Sequence, residues 1–438
     1  IGSGAGGSLI AMELAKANIP VTIIERGPYI KSKDSFEYYD MKYYDKRLKN
    51  TNSVDLLKTT CIGGSTIVAA GNGVRLLEDE FKELGIDISA EYDKIEELVG
   101  IHQMDDEHIG KGTQAFIDSA NELGFEAIRM PKFIRDEDCK PCGKCSFGCP
   151  RDAKWSGKDF VDIAIENGAE LISDAEVTKV IFSDKKITGV EYIKDNIKQN
   201  ISSDLVILCA GAVDSAVILQ KSGIDAGNKL FFDPFVSVGG YLKDINFNSE
   251  VQMNGLAIGK EYILSPHFSS FIAKYIKESN PEVEDKDILS IMVKVEDDMV
   301  GTVDADGNVF KFNTIDDIRR LAQGCAAAGS ILEKAGVDPT TMTSTIFRGA
   351  HPGGTAAIGD VVDNNLKTEI DGLRICDNKS FELSHNPIVM PLALTKGLEF
   401  DNVIVYDKDG AFSGEENKKY LYMASTRALH RLTIFAIN

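Results

Sequence analysis

The chain opens Ile1-Gly2-Ser3-Gly4-Ala5-Gly6-Gly7, with a G-x-G-x-x-G spacing at Gly2, Gly4 and Gly7. Nothing else in the sequence restricts the fold so tightly. Ser8 to Asn18 reads as a helix with Leu9, Ile10, Met12, Leu14 and Ala15 on its buried side. Val21-Thr22-Ile23-Ile24 follows as a β-branched strand ending at Glu25. In that setting Gly2 permits the tight turn, Gly4 admits a pyrophosphate against the backbone, and Gly7 lets helix and strand approach. The free N–H groups at the helix start point at the phosphates. Glu25, eighteen residues beyond Gly7, is placed to accept hydrogen bonds from the adenosine ribose hydroxyls. The expected unit is a Rossmann-like, dinucleotide-binding βαβ opening, and the spacing alone does not choose the dinucleotide. Only Ile1 remains of the strand that should precede Gly2, so a truncated N-terminal strand is expected.

With 438 residues the chain has room for two or three domains. Its net charge of −20, from 68 acidic against 48 basic residues, argues against a general nucleic-acid binder. No apolar run approaches the length needed to cross a bilayer, so no membrane span is expected. A βαβ opening, an α-rich middle, a β–α stretch from Ala169 to Gly223 and strands from Val236 to Phe312 point to an α/β protein of two main domains.

Four of the eight cysteines are crowded into Cys139-x-x-Cys142-x-x-Cys145-x-x-x-Cys149-Pro150, the spacing of the bacterial ferredoxin run. Thiolates so spaced can wrap an iron–sulfur cluster or zinc. In two-cluster ferredoxins the fourth cysteine serves the other cluster, and no second run exists here. An iron–sulfur cluster, zinc and a cysteine-rich structural loop therefore all stay open. Cys61, Cys209, Cys325 and Cys376 are scattered among apolar or small residues, as buried thiols are. This usage fits a reducing, cytoplasmic compartment rather than a disulfide scaffold.

Later segments carry a family resemblance. Cys61-Ile62-Gly63-Gly64-Ser65-Thr66, running on to Gly71-Asn72-Gly73-Val74-Arg75, resembles the flavin-contacting segment of the glucose–methanol–choline (GMC) oxidoreductases. Asp174 to Val180 resembles the strand that holds the adenine there, and Asp204 to Ala212 reads as a buried parallel strand leaving through Gly211. His351-Pro352-Gly353-Gly354-Thr355-Ala356-Ala357-Ile358-Gly359, then Asp363, Gly372 to Asp377 and Asn386-Pro387, resemble the family's C-terminal block. The run from Ile291 to Val309 resembles its substrate-domain sheet, and Ala153-Lys154 an "AK" pair that follows a cysteine-rich stretch in some relatives.

The resemblance implies FAD held by Gly2, Gly4, Gly7, Glu25, Gly63, Gly64, Ser65, Asn72, Val177, Ala210, Gly211, Asp377, Asn378 and Pro387. It implies a small-molecule hydroxyl substrate, an alcohol, sugar or related compound, whose hydride goes to flavin N5 while the electron acceptor stays unidentified. His351 is the implied base for the hydroxyl proton, a task suited to a group that titrates near neutrality. Asn386, with His385 beside it, is the implied partner that orients the hydroxyl. His102, His108 and His267 sit in contexts without a partner motif. An alternative reading passes electrons from the flavin through a cysteine-bound cluster to a protein.

After Leu394 the sequence changes character. Thr395 to Val405 and Leu421 to Leu429 resemble late motifs of superfamily 1 helicases of the UvrD type, with Arg427 at their phosphate-sensing arginine. The chain contains no G-x-x-x-x-G-K-[ST] phosphate loop, so this part is expected to be a joined fragment, without ATP hydrolysis of its own. The expected organisation is an FAD-binding domain at 1–234 with the cysteine-rich insert 139–150, an α+β substrate domain with an antiparallel sheet at 235–345, and a return to the FAD domain at 346–394. The helicase-like segment, 395–438, completes it.

Overall fold

The computed structural model describes residues 1–30, 55–83, 86–363 and 366–375, together with the backbone of the strands Phe400–Asp407 and Ala428–Ala436. The chain divides into two compact units, Ile1–Glu382 and Leu383–Asn438.

The opening helix runs Ala5–Lys16, three residues ahead of the expected start, with Gly4 at its N-cap. Gly6 and Gly7 therefore lie inside its first turn, where their lack of a side chain lets the helix begin against its neighbours. It buries Ser8, Ala11, Met12 and Ala15 and packs on the helix Gly157–Glu166. Thr22–Ile24 pairs in parallel with Glu170–Ile172, and Val206–Leu208 with Leu373–Ile375. The chain's first residues bridge these two pairs. The Ile1 nitrogen donates to the Ile207 carbonyl at 2.7 Å, the Cys209 N–H donates to the Ile1 carbonyl at 2.7 Å, and the Gly2 N–H to the Ile24 carbonyl at 2.9 Å. Ile24, Leu208, Leu373 and Ile375 lie in one apolar core, as strands of a parallel sheet require.

Ala175–Ser183, Lys186–Lys194 and Ile197–Ser202 form an antiparallel meander. Its turns, Asp184-Lys185 and Asp195-Asn196, have positive φ at all four residues, the two-residue geometry that matches strand twist.

A second core surrounds Phe235–Tyr241, which pairs antiparallel with Ile288–Lys294. Ile263–Pro266 and then Gly255–Ile258 extend the sheet from there. The helix Ile315–Lys334, held at its start by the reciprocal Thr314–Asp317 capping bonds, packs on it through Leu321, Gly324, Ala328, Ile331 and Leu332. One expectation fails here. Thr302–Val303 and Val309–Phe310 form their own two-stranded hairpin instead of joining the sheet. Asp304 accepts from the Asp306 and Asn308 N–H groups and closes the chain into a tight loop between them.

Among the described residues no helix is long and apolar enough to cross a membrane. Within Leu383–Asn438, Phe400–Asp407 and Ala428–Ala436 pair in parallel. Arg427 lies outside the described residues.

Candidate active site

The glycine loop is shaped for an anion. A Cβ at Gly2 would lie 2.3 Å from the Cys209 carbonyl oxygen, and one at Gly7 2.0 Å from the Gly2 oxygen, so both positions are closed to side chains. At Gly4 a Cβ meets nothing within 4 Å. Gly64 comes close on one side, its own Cβ position 3.0 Å from the Gly4 Cα. The helix behind Gly4 has no side-chain cap, which leaves its first N–H groups for a ligand. This open cradle fits the pyrophosphate of a dinucleotide.

Of the expected cofactor residues, Glu25, Gly63, Gly64 and Ala210 adjoin this loop. Glu25 is buried; one oxygen accepts from the Ser3 N–H at 2.9 Å and Ser3 Oγ–H at 2.8 Å, the other from the Gly27 N–H at 2.8 Å. Each oxygen keeps capacity for a ribose hydroxyl. Ser3 Oγ in turn accepts from the Gly63 N–H at 3.1 Å, which fastens the second glycine loop to the first. Gly63 and Gly64 both have positive φ. Ser65 Oγ accepts from the Thr59 N–H at 3.1 Å, and Asn72 Oδ1 from Lys132 Nζ at 2.6 Å. Val177 is buried in the meander strand that starts at the Glu25 carbonyl. Ala210 caps the helix Gly211–Lys221, where Gly211 has φ +73° and open space beside it.

His351 follows the short strand Arg348–Gly349, and sheet register explains its neighbours. Arg348 and Lys294 pair with Phe235 from opposite sides. Asp233, two residues before Phe235, thereby meets both Lys294 and His351. Nδ1 of His351 lies 3.0 Å from Asp233 Oδ2 and 2.5 Å from Lys294 Nζ, and Lys294 also pairs with Asp233. The imidazole is 63% exposed. Burial alone would raise the Asp233 carboxyl, but the His351 hydrogen bond and the Lys294 charge outweigh it and hold the group below its ordinary value. The Asp233 loop is itself pinned: Asp297 accepts from the Phe232 and Asp233 N–H groups and pairs with the fully buried Lys311 at 2.9 Å. Thr355 Oγ donates to the Ala212 carbonyl at 2.7 Å and ties the histidine segment to the helix after Val206–Leu208.

Two buried lysines escaped the sequence reading as site residues. Lys132 donates to the Ala70 carbonyl at 3.0 Å, to Asn72 and to the Gln252 carbonyl at 2.7 Å. Lys154 donates to the Thr66 and Ile67 carbonyls at 2.8 and 3.0 Å. Burial pushes each ammonium down to about 8. His267 was also passed over. Its Nδ1 has no hydrogen-bond partner among the described residues, and burial, with Arg348 and Lys132 adding to it, pushes the ring down to about 4. The available signal was its place directly after Pro266 at a strand end. His102 and His108 keep to local bonds, with Asp136 and with the Cys139 carbonyl.

Cys139, Cys142, Cys145 and Cys149 are free thiols lining one cavity. Among the described residues no three His, Cys, Asp or Glu side chains converge to hold a metal ion. Cys61 and Cys209 are buried as expected, while Cys325 is half-buried. Cys376, Asp377, Asn378, His385, Asn386 and Pro387 lie outside the described residues.

A dinucleotide cradle combined with a histidine–carboxylate pair in one α/β unit defines the class, a dinucleotide-dependent oxidoreductase. The sequence profile of the GMC oxidoreductases matches residues 48–246. An uncharacterised protein of Methanocaldococcus jannaschii is 33% identical over 400 residues, 90% of this chain and 96% of that one. A long-chain-alcohol oxidase of Arabidopsis thaliana is 25% identical over 58% of this chain, a stretch that makes up 38% of the plant enzyme. The crystal structure of pyridoxine 4-oxidase from Mesorbium loti shares the fold at TM-score 0.64 and 16% identity, over 85% of this chain and 92% of that one. The chain belongs to the GMC oxidoreductase family. It is an FAD-binding enzyme that acts on CH–OH donors.

Proposed function

We propose that the enzyme oxidises the hydroxyl-bearing carbon of a small alcohol, sugar or related compound, with His351 as the base that takes the hydroxyl proton. Bound FAD supplies the hydride acceptor. The observation that carries the reading is the contact of His351 Nδ1 with Asp233 at 3.0 Å, on an imidazole that is otherwise open. With Nδ1–H donating to the carboxylate, the lone pair sits on Nε2, at the exposed side where a substrate hydroxyl can reach it. The Asp233 carboxylate holds that tautomer and favours the imidazolium formed on proton transfer. Lys294 cannot donate to a protonated Nδ1, so its part is to pair with Asp233 and keep the carboxylate ionised. The plant relative and the structural neighbour are both named for oxidation of hydroxyl compounds, which supports the substrate class.

Anaerobic mixing of FAD-loaded enzyme with a panel of alcohols and sugars tests this directly. Bleaching of the flavin by at least one hydroxyl compound is expected. Flavin that is reduced only by a nicotinamide or a protein donor rejects the assignment.

A further inference from the structure

The ferredoxin-like spacing leaves open which of its four cysteines could act together, and the fold answers this. Cys139, Cys142, Cys145 and Cys149 all line one cavity, walled on its apolar side by Ile134 and Val251. In the two-cluster arrangement the fourth cysteine would turn away to another cluster. Here it stays with the first three, and none of the four is in a disulfide.

The spacing of the run is that of ferredoxins, whose thiolates hold iron and sulfide, and the cavity gathers all four cysteines.

Charge calls for an anionic guest in this cavity. Lys132 is fully buried and Lys154 nearly so, and every hydrogen bond they make goes to a neutral oxygen. Among the described residues neither ammonium has a carboxylate within salt-bridge distance. Asp159, the acidic group nearest in influence to Lys154, is engaged by the Ser156 N–H as a helix cap. Lys154 lines the cavity itself. Two buried cations without counter-charge are costly. A metal centre held by four thiolates carries about −2, as one zinc or as a four-iron, four-sulfide cluster, and so matches them.

We infer that Cys139, Cys142, Cys145 and Cys149 together hold one four-iron, four-sulfide cluster, with Lys132 and Lys154 as its counter-charges. The site adjoins the flavin-loop segment. The turn Cys145–Phe147 packs on the turn Gly64–Val68, whose Thr66 and Ile67 carbonyls Lys154 holds.

The test uses the full chain, purified without oxygen and supplied with ferrous iron and sulfide. Iron, sulfide, zinc and FAD are then measured in the same sample, so a failed cluster and a failed flavin assignment are told apart. About four irons and four sulfides per chain are expected, with broad visible absorbance bleached by dithionite. Cys145→Ser should lose most of the iron while keeping FAD. In the FAD-loaded fraction of Lys132→Met the cluster should be harder to reduce. If Cys145→Ser proves insoluble, metal and sulfide content of the wild type still decides. One zinc per chain without sulfide, an iron-free protein replete in FAD, or iron that survives Cys145→Ser overturns the inference.

Discussion

In the dinucleotide cradle the working atoms are main-chain groups of Gly2, Gly4 and Gly64, and the geometry is set by where side chains are forbidden. At the histidine corner they are three side chains, from Asp233, Lys294 and His351, delivered by separate strands through sheet register. The first region depends mostly on a local run of sequence. The second depends on the whole antiparallel sheet being in place. Damage to the cradle should remove the cofactor outright, and damage to the corner should spare the cofactor and slow the chemistry.

The largest effect is expected at the glycines, where two neighbouring positions should fail differently. Gly4→Val adds a side chain into open space, so the fold should survive while FAD binding is lost. Gly7→Ala places its Cβ 2.0 Å from a backbone oxygen, which should cost about 1–3 kcal/mol of stability as overpacking does. Flavin absorbance and urea unfolding of the two variants measure the contrast. A yellow, FAD-replete Gly4→Val protein would break the cradle assignment.

His351→Ala comes next. It should retain FAD and slow flavin reduction by substrate by on the order of 10²–10⁴, the usual worth of a general base. Near-normal single-turnover reduction would remove His351 from the mechanism.

How legible each region was follows from the same contrast. Gly2, Gly4, Gly7 and Glu25 act within one βαβ turn, so spacing alone exposed them. Asp233 and Lys294 are 118 and 57 residues from His351, ordinary residue types whose meeting depends on which strand pairs with which. Lys132 reads as a surface lysine until the fold buries it beside Asn72 and the Gln252 carbonyl. The 302–310 hairpin was misassigned because two-residue strands carry no periodicity to separate a hairpin from a sheet.

A smaller effect is expected at Asp233. Asp233→Asn keeps the shape but can turn its amide N–H toward Nδ1, which would move the imidazole proton to Nε2 and block the base. Reduction of the flavin should slow by about 10–10², less than at His351→Ala, because the wrong tautomer can still exchange. Stopped-flow reduction with unchanged substrate affinity is the signature, since a merely structural loss would raise the substrate requirement as well. A rate equal to the wild type would assign the Nδ1 contact to Lys294 alone.

The smallest effect is in stability, and its sign can be fixed. The Asp233 carboxyl is held below its ordinary value in the folded protein, because His351 and Lys294 together outweigh the opposing effect of burial. A carboxyl depressed on folding adds stability that is fully present above its unfolded value, about 3.9, and is lost as pH falls through the lower folded value. Asp233→Asn should therefore be less stable than the wild type at about pH 5, and the margin should shrink on further acidification. Urea midpoints of the FAD-loaded pair across that range measure it. The groups facing Asp233 are both cationic or able to become so, so acid protonates the carboxylate against their pull and the margin closes late. A margin that holds unchanged down to about pH 3 would mean that Asp233 gains nothing from Lys294 and His351 in the fold, and would dissolve the corner into three unconnected side chains.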